Sequence, residues 1–314
     1  MIKLKKVNRN QMSLLRKLNS KAMTFNTLNE DFFHVYDSLN FIEKFVLKRN
    51  LRFLFKDHVL SGYIWYDTVE DGTFYIESFY FNEDFINDFK KDDFDFFILK
   101  NKIDTIICSS DGNPYLKKFL AYLDFKPYDE SIELIYDLDD YSFNNNYDDI
   151  KLESFKENTH EEIRCNIQNS VFHNENRTPL TLKDIYMEEE QDYYISGAGL
   201  FIKKDEEYVG YGQIIKNEYS GTIVNVGILK EHRGNGYGKF LIDGLLKKSK
   251  ELGFKKIKIK THKDNIVALN LYKSMGFVKD REIILWRYNE KELLLSRWWD
   301  CLERKKFLYS YNFL

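Results

Sequence analysis

The sequence predicts an α/β protein made of two tandem units of one fold, each a mixed, mostly antiparallel sheet flanked by helices. Three observations lead there. The chain repeats itself at low identity, each copy reads as a strand meander followed by helix, strand, helix and strand, and a polar stretch separates the copies. A chain of 314 residues is long for one small domain and comfortable for two. Hydrophobic residues make up 43% and charged residues 31%, so a core and a wet surface are both supplied. Phe and Tyr are abundant and Pro nearly absent, which suits aromatic-rich strands and helices better than disorder.

Two asparagines set the repeat. Aligning Asn113 with Asn265 superimposes Thr105–Ser110 on Ile257–His262 without a gap, and then the helical stretch Asn113–Phe125 on Asn265–Phe277. Upstream, Leu51–Phe55 and His58–Tyr66 mirror Leu200–Lys203 and Tyr208–Lys216, and Thr73–Phe81 mirrors Thr222–Lys230. The polar run DDYSFNNNYDD after Leu138 lacks apolar periodicity and reads as a linker. The expected domains are therefore 1–140, a linker over 141–149, 150–290, and a tail over 291–314.

In the second copy, Ile150–Ser154 reads as a strand and Glu157–Phe172 as a helix with apolar residues at helical spacing. Leu182–Glu189 follows as another helix. Two strands flank the turn Lys204–Glu207, and a third runs over Thr222–Leu229. Gly236–Glu251 is an amphipathic helix that buries Phe240, Leu241, Leu245 and Leu246. Lys256–Thr261, Asn265–Met275 and Glu282–Tyr288 complete the copy as strand, helix and strand.

Several function classes are disfavoured. A formal net charge of −3 gives no basic surface for nucleic acid. Cys108, Cys165 and Cys301 form no CxxC pair and are odd in number, which fits neither a zinc knuckle nor a disulfide framework, and no metal is expected. No apolar run approaches the roughly 18 residues that span a bilayer, and the basic N-terminus lacks a signal-peptide core. A cytoplasmic protein with no membrane partner is expected.

The chemistry concentrates in Arg233-Gly234-Asn235-Gly236-Tyr237-Gly238, between a strand and a helix. Glycines let the backbone turn tightly and approach a ligand, and first-turn amides without helical partners form an anion cradle suited to a pyrophosphate. A glycine pattern alone is equally a plain turn. The loop lacks the GK[ST] ending of a nucleotide-binding P-loop, and the meander before it argues against a nicotinamide site.

These residues resemble the GNAT superfamily of acyl-CoA N-acyltransferases. Arg233, Gly236 and Gly238 meet its [Q/R]-x-x-G-x-[G/A] hallmark, although Lys230 lies near where the family often has Pro. The stretch Asn265–Phe277 looks like its N-x-x-A-x-x-x-Y-x-x-x-G-F block. The resemblance covers about 150–290 and implies acetyl-CoA as co-substrate. It implies that Arg233, Gly234, Asn235, Gly236, Tyr237, Gly238 and Lys239 hold the pyrophosphate through backbone amides. Ile228 and Leu229 would pair with the pantetheine arm, Asn265 would hydrogen-bond it, and Tyr272 would protonate the departing thiolate. Composition alone would make Tyr272 a core aromatic and Asn265 a helix cap.

No general base is evident. Asn225 is polar within a strand but is no base, while Glu218, His173 and the run Glu188–Asp192 read as surface, and His232 as turned to solvent. The first copy resembles a degenerate GNAT unit, similar in layout to tandem GNAT proteins. Its counterpart of the glycine loop, Asn82–Asp88, has no glycine and several carboxylates, and Leu120 replaces Tyr272. It is expected to be non-catalytic, bracing the sheet or walling the acceptor pocket. Glu292–Leu302 reads as an extra helix before an aromatic tail that docks on its own protein, or else forms a dimer contact. A monomer or homodimer is expected. The implied activity is direct acetyl transfer to a primary amine, a small molecule in preference to a peptide. The alternatives are a non-catalytic CoA-binding or partner-binding module, or a transferase of another acyl or aminoacyl group.

Overall fold

The structure is a computed structural model and describes residues 2–70, 72–142, 149–172, 178–216 and 220–289. Most of the expected linker, His173, Glu218, Cys301 and the expected C-terminal helix and tail lie outside the described residues.

The first copy contains β1 (Ile2–Lys6), α1 (Met12–Phe25), α2 (Phe32–Ser38), α3 (Phe41–Leu47), β2 (Leu51–Lys56), β3 (Val59–Glu70) and β4 (Thr73–Phe81). It continues with α4 (Glu83–Asn87), α5 (Lys91–Asn101), β5 (Thr105–Asp111), α6 (Pro114–Tyr122) and β6 (Lys126–Asp137). The second copy has β7 (Ile150–Ser154), α7 (Glu161–Val171), α8 (Leu182–Glu189), β8 (Gly199–Lys204), β9 (Glu207–Lys216) and β10 (Gly221–Ile228). After these come α9 (Tyr237–Glu251), β11 (Lys256–His262), α10 (Ile266–Ser274) and β12 (Val278–Asn289).

Local chemistry explains these limits. Asn113 caps α6 by accepting from the amides of Tyr115 and Leu116, and Asn265 caps α10 by accepting from Ala268, so the two aligned asparagines do the same work. Asp205 and Glu206 take positive φ values of 47° and 74°, the geometry that folds β8 tightly back onto β9. Helix α7 starts at Glu161, four residues after the expected start. Asn158 is left-handed at φ 62°, and its amide is captured by the Glu161 carboxylate, so the helical ladder cannot begin earlier.

The chain folds into two compact units, and the first is discontinuous in sequence. The first runs to Glu130 and takes back the strand residues from Glu282; the second spans Ser131–Arg281. Where the sequence marks a divide at 141–149, the units divide at 130/131 and 281/282. The reason is an exchange of closing strands. Residues Ser131–Asp137 of β6 pair antiparallel with β11, whereas Ile283–Asn289 of β12 pair antiparallel with β5. The first unit's strand order is β1-β2-β3-β4-β5-β12, and the second's is β6-β11-β10-β9-β8-β7. In each, the parallel pair among the described residues joins strands on either side of a helical crossover, β4 with β5 and β10 with β11.

Each sheet is buried on both faces. In the second unit α9 and α10 pack Leu241, Leu245 and Leu269 against Leu200, Ile202, Val209 and Ile223. On the opposite face Ile167 of α7 meets Phe201 and Tyr211. In the first unit α5 and α6 cover one face and α1 and α2 the other. No helix among the described residues is long and apolar enough to cross a membrane.

The exchanged strand is bound into the first unit's core by Trp286, 4% exposed, whose indole N–H donates to Ser110 Oγ at 2.8 Å. Trp286→Ala is expected to destabilise the first unit by about 3–5 kcal/mol, the usual cost of deleting a buried indole. Urea unfolding would measure this, and a loss under ~1 kcal/mol would mean that β12 contributes little to that core.

Candidate active site

The site begins where two parallel strands part. β10 and β11 are paired only over Gly221–Ile223 with Ile257–Ile259. Beyond Ile223 the β11-facing edge of β10 has no strand partner among the described residues. Its other edge stays paired with β9 to Ile228, and the Leu229 N–H donates to the Val209 carbonyl at 2.9 Å. Because Leu229 bonds toward β9, antiparallel alternation turns the Ile228 N–H and C=O away from β9, into the gap. A bulge between Val224 and Gly227, with Asn225 left-handed at φ 58°, bends the strand here. Gly227 is required by close approach, since a Cβ there would lie 2.1 Å from Val171 Cγ1 of α7.

The glycine loop closes the same end of β10. A short turn over Lys230–His232 leads into it, and Arg233 reaches back so that its Nε donates to the Ile228 carbonyl at 2.9 Å. Gly234 and Gly236 have φ of 84° and 79°, which a residue with a Cβ adopts only under strain. Gly236 is the N-cap of α9 and has no side chain to satisfy the first turn. The amides of Tyr237 and Gly238 find no acceptor among the described residues. Arg233, Asn235 and Lys239 are exposed beside them. The Tyr237 side chain turns inward and donates to Asp149 Oδ2 at 2.9 Å, so only its backbone is available to a ligand. His232 does not turn to solvent as expected: its side chain is 17% exposed and its Nε2 lies 3.8 Å from Glu207 Oε2.

Helix α10 brings up the remaining residues. Leu271 Cδ2 lies 3.3 Å from where a Cβ on Gly238 would be, so α10 packs against the first turn of α9. Asn265, at the head of α10, is exposed. Tyr272 is 6% exposed, with its ring 5.9 Å from that of Phe277. Its hydroxyl has no hydrogen-bond partner among the described residues, and burial pushes the phenol up to about 12, so it stays protonated at neutral pH.

The opposite face of β9 and β10 holds a polar cluster that the sequence did not reveal. Arg164 of α7 is fully buried. Its Nη2 pairs with the Glu188 carboxylate, which also accepts from Gln213 Nε2, while Gln213 Oε1 accepts from the Tyr211 hydroxyl at 2.7 Å. The guanidinium sits 5.3 Å from the Tyr211 ring and 5.7 Å from Phe155. Gln213 and Tyr211 are the β9 partners of Val224 and Gly227, so the chain of bonds ends against the bulge. Glu188 and Glu189, expected at the surface, are instead partly buried. Burial first, and then the charges of Glu161 and Glu157, push Glu189 up to about 7. Four buried atoms here, Arg164 Nε and Nη1, Gln168 Nε2 and Glu189 Oε1, lack hydrogen-bond partners. One signal was available in the sequence: Gln213 is an isolated polar residue in an otherwise apolar strand.

The first unit fills its counterpart of this gap. The Asn82 side chain satisfies the Phe85 amide at 2.8 Å at the head of α4. Phe85 packs on Phe89 and Phe81 at 4.7 and 5.4 Å between ring centroids, and Phe81 on Phe119 at 5.8 Å. Leu120, the counterpart of Tyr272, is 4% exposed core.

Comparison with known proteins agrees with this geometry. Residues 161–277, which include β10, the glycine loop and the block from Asn265 to Phe277, match the model of the Acetyltransferase (GNAT) family. No curated protein matches the sequence. Among solved structures, a GCN5-related N-acetyltransferase from Sphaerobacter thermophilus superposes with a TM-score of 0.66 at 11% identity, over 92% of this chain and 95% of that one. A tandem GNAT protein from the clavulanic acid biosynthesis pathway, without AcCoA, gives 0.55 at 10% identity over 92% and 98%. A GNAT-family acetyltransferase from Colwellia psychrerythraea gives 0.52 at 12% identity over 92% and 100%. At such identities the likeness is one of fold. Residues 161–277 thus match the acetyltransferase (GNAT) family, within a fold that the chain shares with a tandem GNAT protein.

Proposed function

We propose that the second unit transfers an acetyl group from acetyl-CoA to a primary amine of a small molecule, by direct attack within a ternary complex. The observation that carries this reading is the coincidence, at one end of β10, of an unpaired strand edge and a helix start with free amides. The amides of Tyr237 and Gly238, with Arg233, Asn235 and Lys239 around them, suit a pyrophosphate in an extended backbone contact through Gly234 and Gly236. The edge at Ile228 suits an amide-bearing arm that adds to the sheet as a strand would, whereas the Leu229 N–H, expected to join it, is bonded to Val209 of β9; Asn265 can hydrogen-bond the arm from across the gap.

The chemistry then falls to side chains on the two faces of this sheet, Tyr272 on one and Glu189 on the other. The amine nitrogen attacks the thioester carbon, the C–S bond breaks, and the Tyr272 hydroxyl gives its proton to the leaving sulfur. The burial that raises the phenol raises a thiol in the same surroundings as well, so the proton is transferred between groups shifted alike. Before attack, the acceptor ammonium must lose a proton. Glu189 is a group on the face opposite Tyr272 that titrates near neutral pH, as a general base should, and it takes that role here, through water if the amine does not reach it. Helix α7 pressed on Gly227 and α8 tied down through Glu188 roof this part of the strand, which favours a compact acceptor over a peptide. Cys108 and Cys165 are buried free thiols, which suits a reducing, cytoplasmic setting.

Calorimetric titration is expected to give one acetyl-CoA per chain, with binding lost in Gly236→Glu, which strains the loop and puts a carboxylate in the cradle. Binding that survives this change would place the cofactor elsewhere. Tyr272→Phe is expected to lower kcat by roughly a hundredfold or more, the usual worth of a proton donor, with little change in CoA affinity. Equal kcat would remove Tyr272 from the reaction. Because Glu189 must be ionised to accept a proton, kcat/KM should rise with pH up to about 7 and then level. Glu189→Gln should lose that rise, and a profile that keeps it would assign the base to another group.

A further inference from the structure

The first unit contains a cavity of about 400 Å³ that the acyl-transfer reading does not use. It lies between the sheet face formed by β1 to β5 and the helices α5 and α6. A volume of this order falls in the range of ligand pockets, whereas domain interiors are close-packed and seldom leave room for more than a water. Its walls are apolar almost throughout, with Leu54, Ile64, Ile76 and Ile106 from the strands and Phe94 and Phe97 from α5. Water has too few partners in such a space, and apolar ligands enter it readily.

The two ends of the cavity differ. Toward the start of β4 it is lined by Tyr66 and Asn101, and the side chain of Arg52, the one charged residue among the described lining residues, reaches in from β2 beside Tyr66. The Arg52 guanidinium lies 5.6 Å from the Tyr66 ring, and its Nη1 donates to the Arg49 and Leu51 carbonyls. Its Nε and Nη2 have no partner among the described residues. Phe74, which packs edge-on to Tyr66 at 5.4 Å between ring centroids, belongs to this end. At the other end of β4 the cavity is closed by the rings of Phe81, Phe85, Phe89 and Phe119, the group that replaces the glycine cradle. Phe74 and Phe81 are seven residues apart on one strand, a span of about 23 Å at the usual rise. The cavity is thus long, apolar, cationic at one end and blind at the other.

We propose that the first unit binds one long-chain alkyl carboxylate, with its carboxylate on Arg52 and its chain running along β4 to the phenylalanine wall. A guanidinium with unused donors recognises a carboxylate, and the wall and length select a chain over a compact apolar molecule. No acidic residue is among the described residues that line the cavity. The site is independent of acetyl transfer by the second unit and gives the degenerate copy a ligand of its own.

The test is displacement of an anthroyloxy-labelled fatty acid from the full chain by palmitate, methyl palmitate and acetate. Palmitate is expected to displace the label at one site per chain, acetate not at all, and methyl palmitate at least tenfold more weakly, as loss of a hydrogen bond to a charged group implies. Arg52→Gln should weaken palmitate by a similar factor and leave methyl palmitate unchanged. Ile76→Trp should abolish binding by filling the cavity, provided that its melting curve shows a folded protein. If that variant does not fold, the Arg52→Gln comparison decides alone. Failure of palmitate to bind the native chain overturns the proposal, which includes the case of a cavity already filled by another part of the protein. Equal binding of acid and methyl ester overturns the carboxylate assignment.

Discussion

Everything at the candidate site depends on the early parting of β10 from β11. Two parallel strands that stayed paired to their ends would satisfy each other's backbone and leave nothing for a ligand. Here the ladder stops at Ile223, and the bulge at Asn225 turns the rest of β10 away while β9 keeps hold of its other edge. An exposed strand edge is ordinarily a liability, because unpaired amides and carbonyls invite other chains. In this unit the edge lies in a gap bordered by α9 and α10, where a ligand of strand-like shape can pair with it and another protein cannot easily follow.

Much of this could be read from residues alone. The alignment of Asn113 with Asn265 found both helix caps and the order of elements, because helix caps and strand alternation are local chemistry. The glycine loop was legible for the same reason: a positive φ demands glycine wherever the chain goes next. What could not be read is non-local. Nothing in the sequence of β6 or β12 states which neighbour it will pair with, so the exchange of closing strands stayed hidden. The cluster around Arg164 stayed hidden too, since a buried guanidinium is stable only through partners on other elements, Glu188 from α8 and Gln213 from β9. Glu188–Asp192 looks like a solvated acidic run until α8 is seen to turn two of its members inward.

The two copies show how one scaffold diverges. In the second, glycines keep the head of α9 open and positive. In the first, Asn82 caps the equivalent helix with its own side chain, and four phenylalanines occupy the neighbouring space. Those rings do more than delete a site. They form the blind end of a cavity whose mouth carries Arg52, so loss of one kind of recognition and gain of another come from the same substitutions.

The exchange of closing strands also bears on the order in which the chain can fold. β5 ends at Asp111, but the strand that covers its edge ends only at Asn289, 178 residues later. At ribosomal rates of about 5–20 residues per second, the first unit waits roughly ten to forty seconds with its sheet incomplete. The second unit, which spans only Ser131–Arg281, has all its parts sooner. During synthesis, then, the later half of the gene supplies the domain that can close first, and the earlier half is finished last.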